Sequence, residues 1–203
     1  MLVANGRGQV AESQALSVAK ASATLRIETQ QTIAPPQVSL TLVQGLAKGD
    51  RDERAIEAAT ELGVSTVVPW QAARSVSRWD AAKAEKGRMR WESITREASK
   101  QSLRAWLPVV KQLAHTSDIV KLTSSSRVLV LDPTASTSLT DVLVDRPANV
   151  TLVVGPEGGI ADEELAQFEA AGAVRVRLGS HILRTSTAGP AAVAAINEVL
   201  GVW

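Results

Sequence analysis

Cysteine is absent from the 203 residues, which excludes disulfides, thiol nucleophiles and cysteine-based metal sites. Histidine is scarce: His115 and His181 are the only two and lie far apart in sequence, so no metal is expected. No apolar run approaches the length that spans a bilayer. The first residues, Met1 to Gly8, lack the long apolar core of an export signal. A cytoplasmic protein with no membrane partner is the resulting expectation.

What is present is ordinary globular material for one domain or a domain and a half, 45% apolar and 21% charged. The net charge of +1 conceals an uneven distribution. From Arg74 to Arg104 the chain carries nine Lys and Arg against four Asp and Glu, with Trp79 and Trp91 interleaved. Such a stretch suits a phosphate backbone, whose counterions are released on binding. It reads equally as a solvated helix face with Trp91, Ile94 and Ala98 turned inward.

Residues 1 to 33 alternate weakly, as in Ala23 to Thr29, which predicts strands of a small sheet or barrel. Ala34-Pro35-Pro36 forms a stiff extended connector and marks a boundary. Beyond it, strand-like and helix-like runs alternate. Strands are predicted over Val38 to Val43, Val64 to Val68, Pro108 to Leu113, Arg127 to Leu131 and Val150 to Val154. Helices are predicted over Arg51 to Leu62, with Gly63 past its end, Ala81 to Arg104 and Thr116 to Leu122. A further helix opens at Ala161 or Asp162 with acidic residues in its first turn and closes at Gly172. A strand alternates through Val174, Val176 and Leu178, and an alanine-rich helix covers Pro190 to Leu200. The runs Arg127 to Leu131 and Val150 to Val154 are apolar almost throughout, as in strands buried on both faces. The fold class is therefore α/β, a mainly parallel sheet with flanking helices.

Two junctions concentrate backbone donors. One is Gly155-Pro156-Glu157-Gly158-Gly159 after the strand ending at Val154; the other runs from Leu178 to Ala188. In α/β sheets ligands bind beyond the carboxyl ends of strands, which makes these loops the expected active site. The glycine loop has neither the spacing of a dinucleotide fingerprint nor the Lys-Ser/Thr pair of a phosphate loop. A nicotinamide enzyme and an NTPase are both disfavoured.

In order and spacing, several segments together resemble one family. They are Lys48-Gly49-Asp50-Arg51, Ala59 to Val64, Arg74-Ser75, Glu97 to Arg104, Leu131-Asp132-Pro133, Gly155 to Gly159 and Leu178 to Arg184. The family is the ribosomal RNA small subunit methyltransferase E family of the knotted SPOUT methyltransferases, and the resemblance covers nearly the whole chain after Leu40. It implies S-adenosylmethionine-dependent methylation of N3 of a uridine in 16S rRNA, a homodimer, and 16S rRNA or the small ribosomal subunit as partner. It also implies a partial PUA-like, RNA-binding barrel over residues 1–36, read as truncated, and a SPOUT domain over 37–203 with a trefoil knot in 127–203. General rules of chain connection would not have given a knot.

By the same resemblance the cofactor is held by Leu131 and Pro133, by Gly155, Pro156, Glu157 and Gly158, by Leu178, Gly179, Ile182 and Leu183, and by Ser186, Thr187 and Ala188. RNA contacts fall to Lys48, Arg51, Arg74, Arg78, Gln101 and Arg104. Methylation at N3 expels a proton and spreads negative charge onto O2 and O4 of the base, so a nearby cation aids it. Arg104 and Arg184 are the candidates, each with a plain alternative as a phosphate or carbonyl ligand. Glu157 either accepts the proton or caps its own loop. The family pattern has a glutamate where this chain has Ser186, so that carboxylate is missing. A knotted ribose 2′-O-methyltransferase and a non-catalytic ribosome-assembly factor remain as alternatives.

Overall fold

A computed structural model describes all residues, 1–203. The chain opens with an antiparallel meander, β1 (Leu2–Ala4), β2 (Gln9–Val18) and β3 (Ala23–Thr32), in the order β1-β2-β3. It is held to the rest by Gly8, whose N–H donates to the Ala105 carbonyl at 2.9 Å. A Cβ on Gly8 would lie 2.6 Å from the Trp106 ring, so only glycine permits this approach. Trp106 in turn donates its indole N–H to the carbonyls of Ile33 and Ala34.

The remaining strands are β4 (Ser39–Gly45), β5 (Thr66–Trp70), β6 (Val109–Val110), β7 (Arg127–Leu131), β8 (Asn149–Val154) and β9 (Val174–Val176). They form one sheet in the order β6-β5-β4-β8-β7-β9, parallel at every pairing. Helices α1 (Arg51–Glu61), α2 (Ala81–Gln101), α3 (Thr116–Val120), α4 (Asp162–Ala170) and α5 (Thr185–Leu200) cover it.

Side-chain alternation divides the core in two. Leu40, Leu42, Leu129, Val150 and Leu152 pack with Ile56, Trp91 and Ile196 on one face, whereas Val43, Val68, Val128, Val130 and Val153 pack with Ile119, Leu165 and Phe168 on the other. Trp70 and Phe168 meet edge to face at 5.7 Å. Buried Glu164 links three segments on that second face, accepting from Ala73 N–H, Thr116 hydroxyl and Ala161 N–H. No helix is long and apolar enough to cross a membrane.

Three expectations are corrected. The final helix begins at Thr185, not Pro190. Proline favours the first turn of a helix, but here Pro190 lies inside, buried under the sheet. Helix α2 stops at Gln101 rather than Arg104, because Leu103 takes φ +55° and turns the chain out. The segment Pro108 to Leu113 pairs with β5 in a regular ladder only at Val109–Val110.

Candidate active site

Strands β7, β8 and β9 deliver their carboxyl ends to one cavity of about 660 Å3, well within the range of small-molecule sites. The residues after β7 (Leu131, Pro133), the glycine loop after β8 (Gly155, Pro156, Glu157), the loop after β9 (Leu178, Gly179, Ile182, Leu183) and Ala188 of α5 all line it. Gly158, Ser186 and Thr187 do not. Gly158 instead backs onto Arg74, whose carbonyl oxygen would lie 3.1 Å from an added Cβ.

The loop after β9 has one property that a closed turn would lack. None of the backbone N–H groups of residues 178–184 donates a hydrogen bond within the chain. Residues 179–184 are exposed, so these donors stand open to solvent or to a ligand. A run of free ones around apolar side chains is a cradle for a ligand that is flat and apolar on its faces and rich in acceptors at its edges. Gly155, at the start of the glycine loop, packs against Ile160, whose side chain would lie 2.7 Å from an added Cβ.

The glycine loop is fastened from both sides. Glu157 accepts from the Lys48 N–H and from the Arg51 guanidinium, both at 2.8 Å. Arg74 donates to the Ile160 carbonyl at 3.2 Å. Partial burial pushes the Glu157 carboxyl up, but the hydrogen bonds of its own N–H and of Lys48, with the Arg51 charge, overcome this and leave it below the ordinary carboxylate value. A group with a lowered folded value stabilises fully above its unfolded pKa, ordinarily 4.5, and loses that contribution as pH falls through the lower folded value. Glu157→Gln should therefore cost about 0.2–1 kcal/mol at neutral pH, as half-exposed pairs do. It should also lose less stability on acidification than the wild type when denaturant unfolding is followed down to acid pH. Parallel acid curves would contradict the pairing.

A second ion pair borders the cavity and was not foreseen. Asp132, buried after β7, accepts from Arg175 of β9 at 2.5 Å and from Thr134. Burial raises its carboxyl, and the Thr134 and Arg175 bonds lower it further than burial raises it. Thr185 was also missed as a wall residue. Its hydroxyl donates to the Gly155 carbonyl at 2.8 Å and accepts from the Gln44 side-chain amide at 2.9 Å. One buried chain of bonds thus joins β4, the glycine loop and α5.

The candidate cations separate. Arg184 borders the cavity, and its guanidinium makes no hydrogen bond or ion pair within the chain. Arg104 lines no part of it; its guanidinium is partly buried on the Thr60 carbonyl at 2.5 Å, and burial lowers its pKa. Arg51 and Arg74 stand at the cavity wall, Arg78 in a neighbouring cleft, and Gln101 exposed at the end of α2. Lys48 offers its backbone to Glu157 and leaves its side chain exposed. No three His, Asp or Glu side chains are grouped to hold a metal ion.

Comparisons with known proteins converge on one family. Residues 34–197 match the family model of an RNA methyltransferase domain. The ribosomal RNA small subunit methyltransferase E of Mycobacterium bovis is 38% identical over 208 residues, covering 100% of this chain and 79% of that protein. Among solved structures, a Neisseria gonorrhoeae ribosomal RNA small subunit methyltransferase E bound to S-adenosyl methionine superposes with TM-score 0.88 at 29% identity, over 98% of this chain and 82% of that one. A methyltransferase from Legionella pneumophila in complex with the cofactor SAM gives TM-score 0.89 at 28% identity, over 97% and 81%.

Proposed function

Because the chain belongs to the ribosomal RNA small subunit methyltransferase E family, we propose that it transfers a methyl group from S-adenosylmethionine to N3 of a uridine in 16S rRNA. The observation that carries this reading is the cavity bounded by the glycine loop and by the unpaired main-chain donors of residues 178–184. Bound there, S-adenosylmethionine supplies an electrophilic methyl group on a positively charged sulfur. Leu131, Leu178, Ile182 and Leu183 would provide apolar surface for its adenine ring, and the free N–H groups of the last loop would be available to its acceptors. Gly155 and Pro156 close the opposite side, with Glu157 fixing their position.

Holding base and methyl donor in line accounts for much of the rate. As the N3 proton leaves to solvent water, charge accumulates on O2 and O4, and we assign the unpaired Arg184 to stabilise it. Glu157, held ionised below the usual range by Lys48 and Arg51, is a weak base and serves as a brace. Arg104 braces α1 through Thr60 in the same way. Exposed Lys48 and Gln101, the wall residues Arg51 and Arg74, and Arg78 of the neighbouring cleft are the proposed RNA contacts.

The same reading divides the chain into a partial PUA-like barrel over 1–36 and a knotted SPOUT domain over 37–203. The knot reading over 127–203 is supported where the chain leaves β9. Arg177 donates to Thr137 and accepts from Leu139, both at 2.9 Å, so residues 137–139 clasp the segment that goes on to α5. The exposed Val144 and Trp203 support a homodimer, at 82% and 64% accessible. The substrate places its work in the cytoplasm.

Methyl-labelled S-adenosylmethionine, incubated with small ribosomal subunits lacking the modification, should label 3-methyluridine in the digested RNA. Label in a ribose, or none, would overturn the assignment.

A further inference from the structure

A second cleft of about 470 Å3 adjoins the first. The same chain segments reach both: Arg51 and Arg74 line the first cavity, and their chain neighbours Ala47, Gly49, Asp52 and Ser77 to Trp79 line the second. The second cleft carries four cations, Arg78, Lys83, Lys86 and Arg90, against two carboxylates. Glu53 is neutralised by Arg90 at 2.9 Å. Asp52 is buried, which raises its pKa, and accepts from the N–H groups of Ala47 and Glu53. Lys83 lies 3.6 Å from Asp80. Lys86 has no ion-pair partner, and Arg78 spends one bond on the Ala73 carbonyl.

The aromatic wall of this cleft is fixed in place. Trp79 donates its backbone N–H to the Gln71 side chain at 2.8 Å and sets its ring edge to face with Trp91 at 5.5 Å. Its benzo ring crosses α2 at Gly87, where an added Cβ would lie 2.4 Å from it. Glycine inside a helix costs about 1 kcal/mol against alanine, and here it makes room for the indole.

We propose that this cleft is a subsite for a nucleotide adjacent to the one being methylated, the base stacking on Trp79 and the phosphate lying on Arg78 and Lys86. A braced indole beside unpaired cations is how proteins hold single-stranded RNA. Arg51 and Asp52, adjacent in the chain, line one cleft each, which sets this subsite beside the methyl-transfer cavity. The inference rests on RNA being the substrate.

The test is steady-state methylation of unmodified small subunits by wild type, Trp79→Leu and Lys86→Glu, with S-adenosylmethionine binding measured calorimetrically for each. The KM for subunits should rise roughly tenfold with Trp79→Leu, the usual loss for one stacked base, and similarly with Lys86→Glu, while cofactor affinity holds. An unchanged KM in both variants overturns the subsite and leaves the methylation reading standing. Should Trp79→Leu not fold, the exposed Lys86→Glu decides alone. If the wild type labels no RNA, the parent reading fails. Quenching of tryptophan fluorescence by a short oligouridylate, in wild type but not in Trp79→Phe, then supports the subsite by itself. Quenching by polyglutamate instead of oligouridylate overturns it.

Discussion

Gly45→Ala should lower the stability of this protein by about 1–3 kcal/mol, the usual cost of overpacking a dense site, and weaken S-adenosylmethionine binding more than tenfold. Gly45 is the buried last residue of β4, beneath the glycine loop. A Cβ built there lies 2.7 Å from the Pro156 nitrogen, 2.8 Å from Pro156 Cδ and 2.9 Å from the Gly155 carbonyl carbon. All three atoms belong to main chain or to a proline ring, so no side chain can swing aside. The loop must lift, and lifting it pulls on the Thr185 bond to Gly155. Gly159→Ala is a useful contrast: nothing lies within 4 Å of its added Cβ, and only its φ of +73° opposes the change. Thermal unfolding with and without S-adenosylmethionine, beside calorimetric binding, measures both effects. A Gly45→Ala chain that binds like the wild type would remove the glycine loop from the cofactor site.

Most of the sheet could be read from the chain because its strands are buried on both faces. Runs such as Arg127 to Leu131 and Asn149 to Val154 are nearly continuous in apolar residues, and each ends where glycine or proline interrupts it. The cavity followed from the same punctuation, since Gly155-Pro156 and Leu178-Gly179 follow β8 and β9, the two strands that flank β7. What could not be read depends on strand order. Asp132 and Arg175 are 43 residues apart and meet only because β9 pairs with β7. Gln44 reads as one polar residue inside an apolar strand, and its role appears only when α5 brings Thr185 against it. The start of α5 was misplaced because proline is a local signal for a first turn, whereas burial against β4 and β8 carries this helix through Pro190. Arg104 looked like a surface cation because α2 was extended over it. With the helix ending at Gln101 and the chain turning at Leu103, the guanidinium is directed to Thr60.

Thr185→Val should destabilise the fold by about 1–3 kcal/mol, the cost of stranding a buried polar group, and loosen the cofactor site roughly tenfold at a matching 1.4 kcal/mol. Valine keeps the shape and removes the hydroxyl that joins the Gln44 amide to the Gly155 carbonyl. Gln44 is fully buried and its Oε1 already has no partner. After the substitution its Nε2 retains only the Gly45 carbonyl at 3.2 Å. Adding Gln44→Leu removes the stranded amide, so the double variant should regain part of the stability that Thr185→Val loses. Binding should not recover with it, because nothing then ties Gly155 to the first turn of α5. The split between regained stability and unregained affinity separates a bond that positions the two loops from one that only holds the core together. Recovery of both in the double variant would mean that the loops keep their places without the Gln44–Thr185–Gly155 chain, and a loss in the double variant equal to the sum of the losses from Thr185→Val and Gln44→Leu alone would mean that Gln44 and Thr185 act independently.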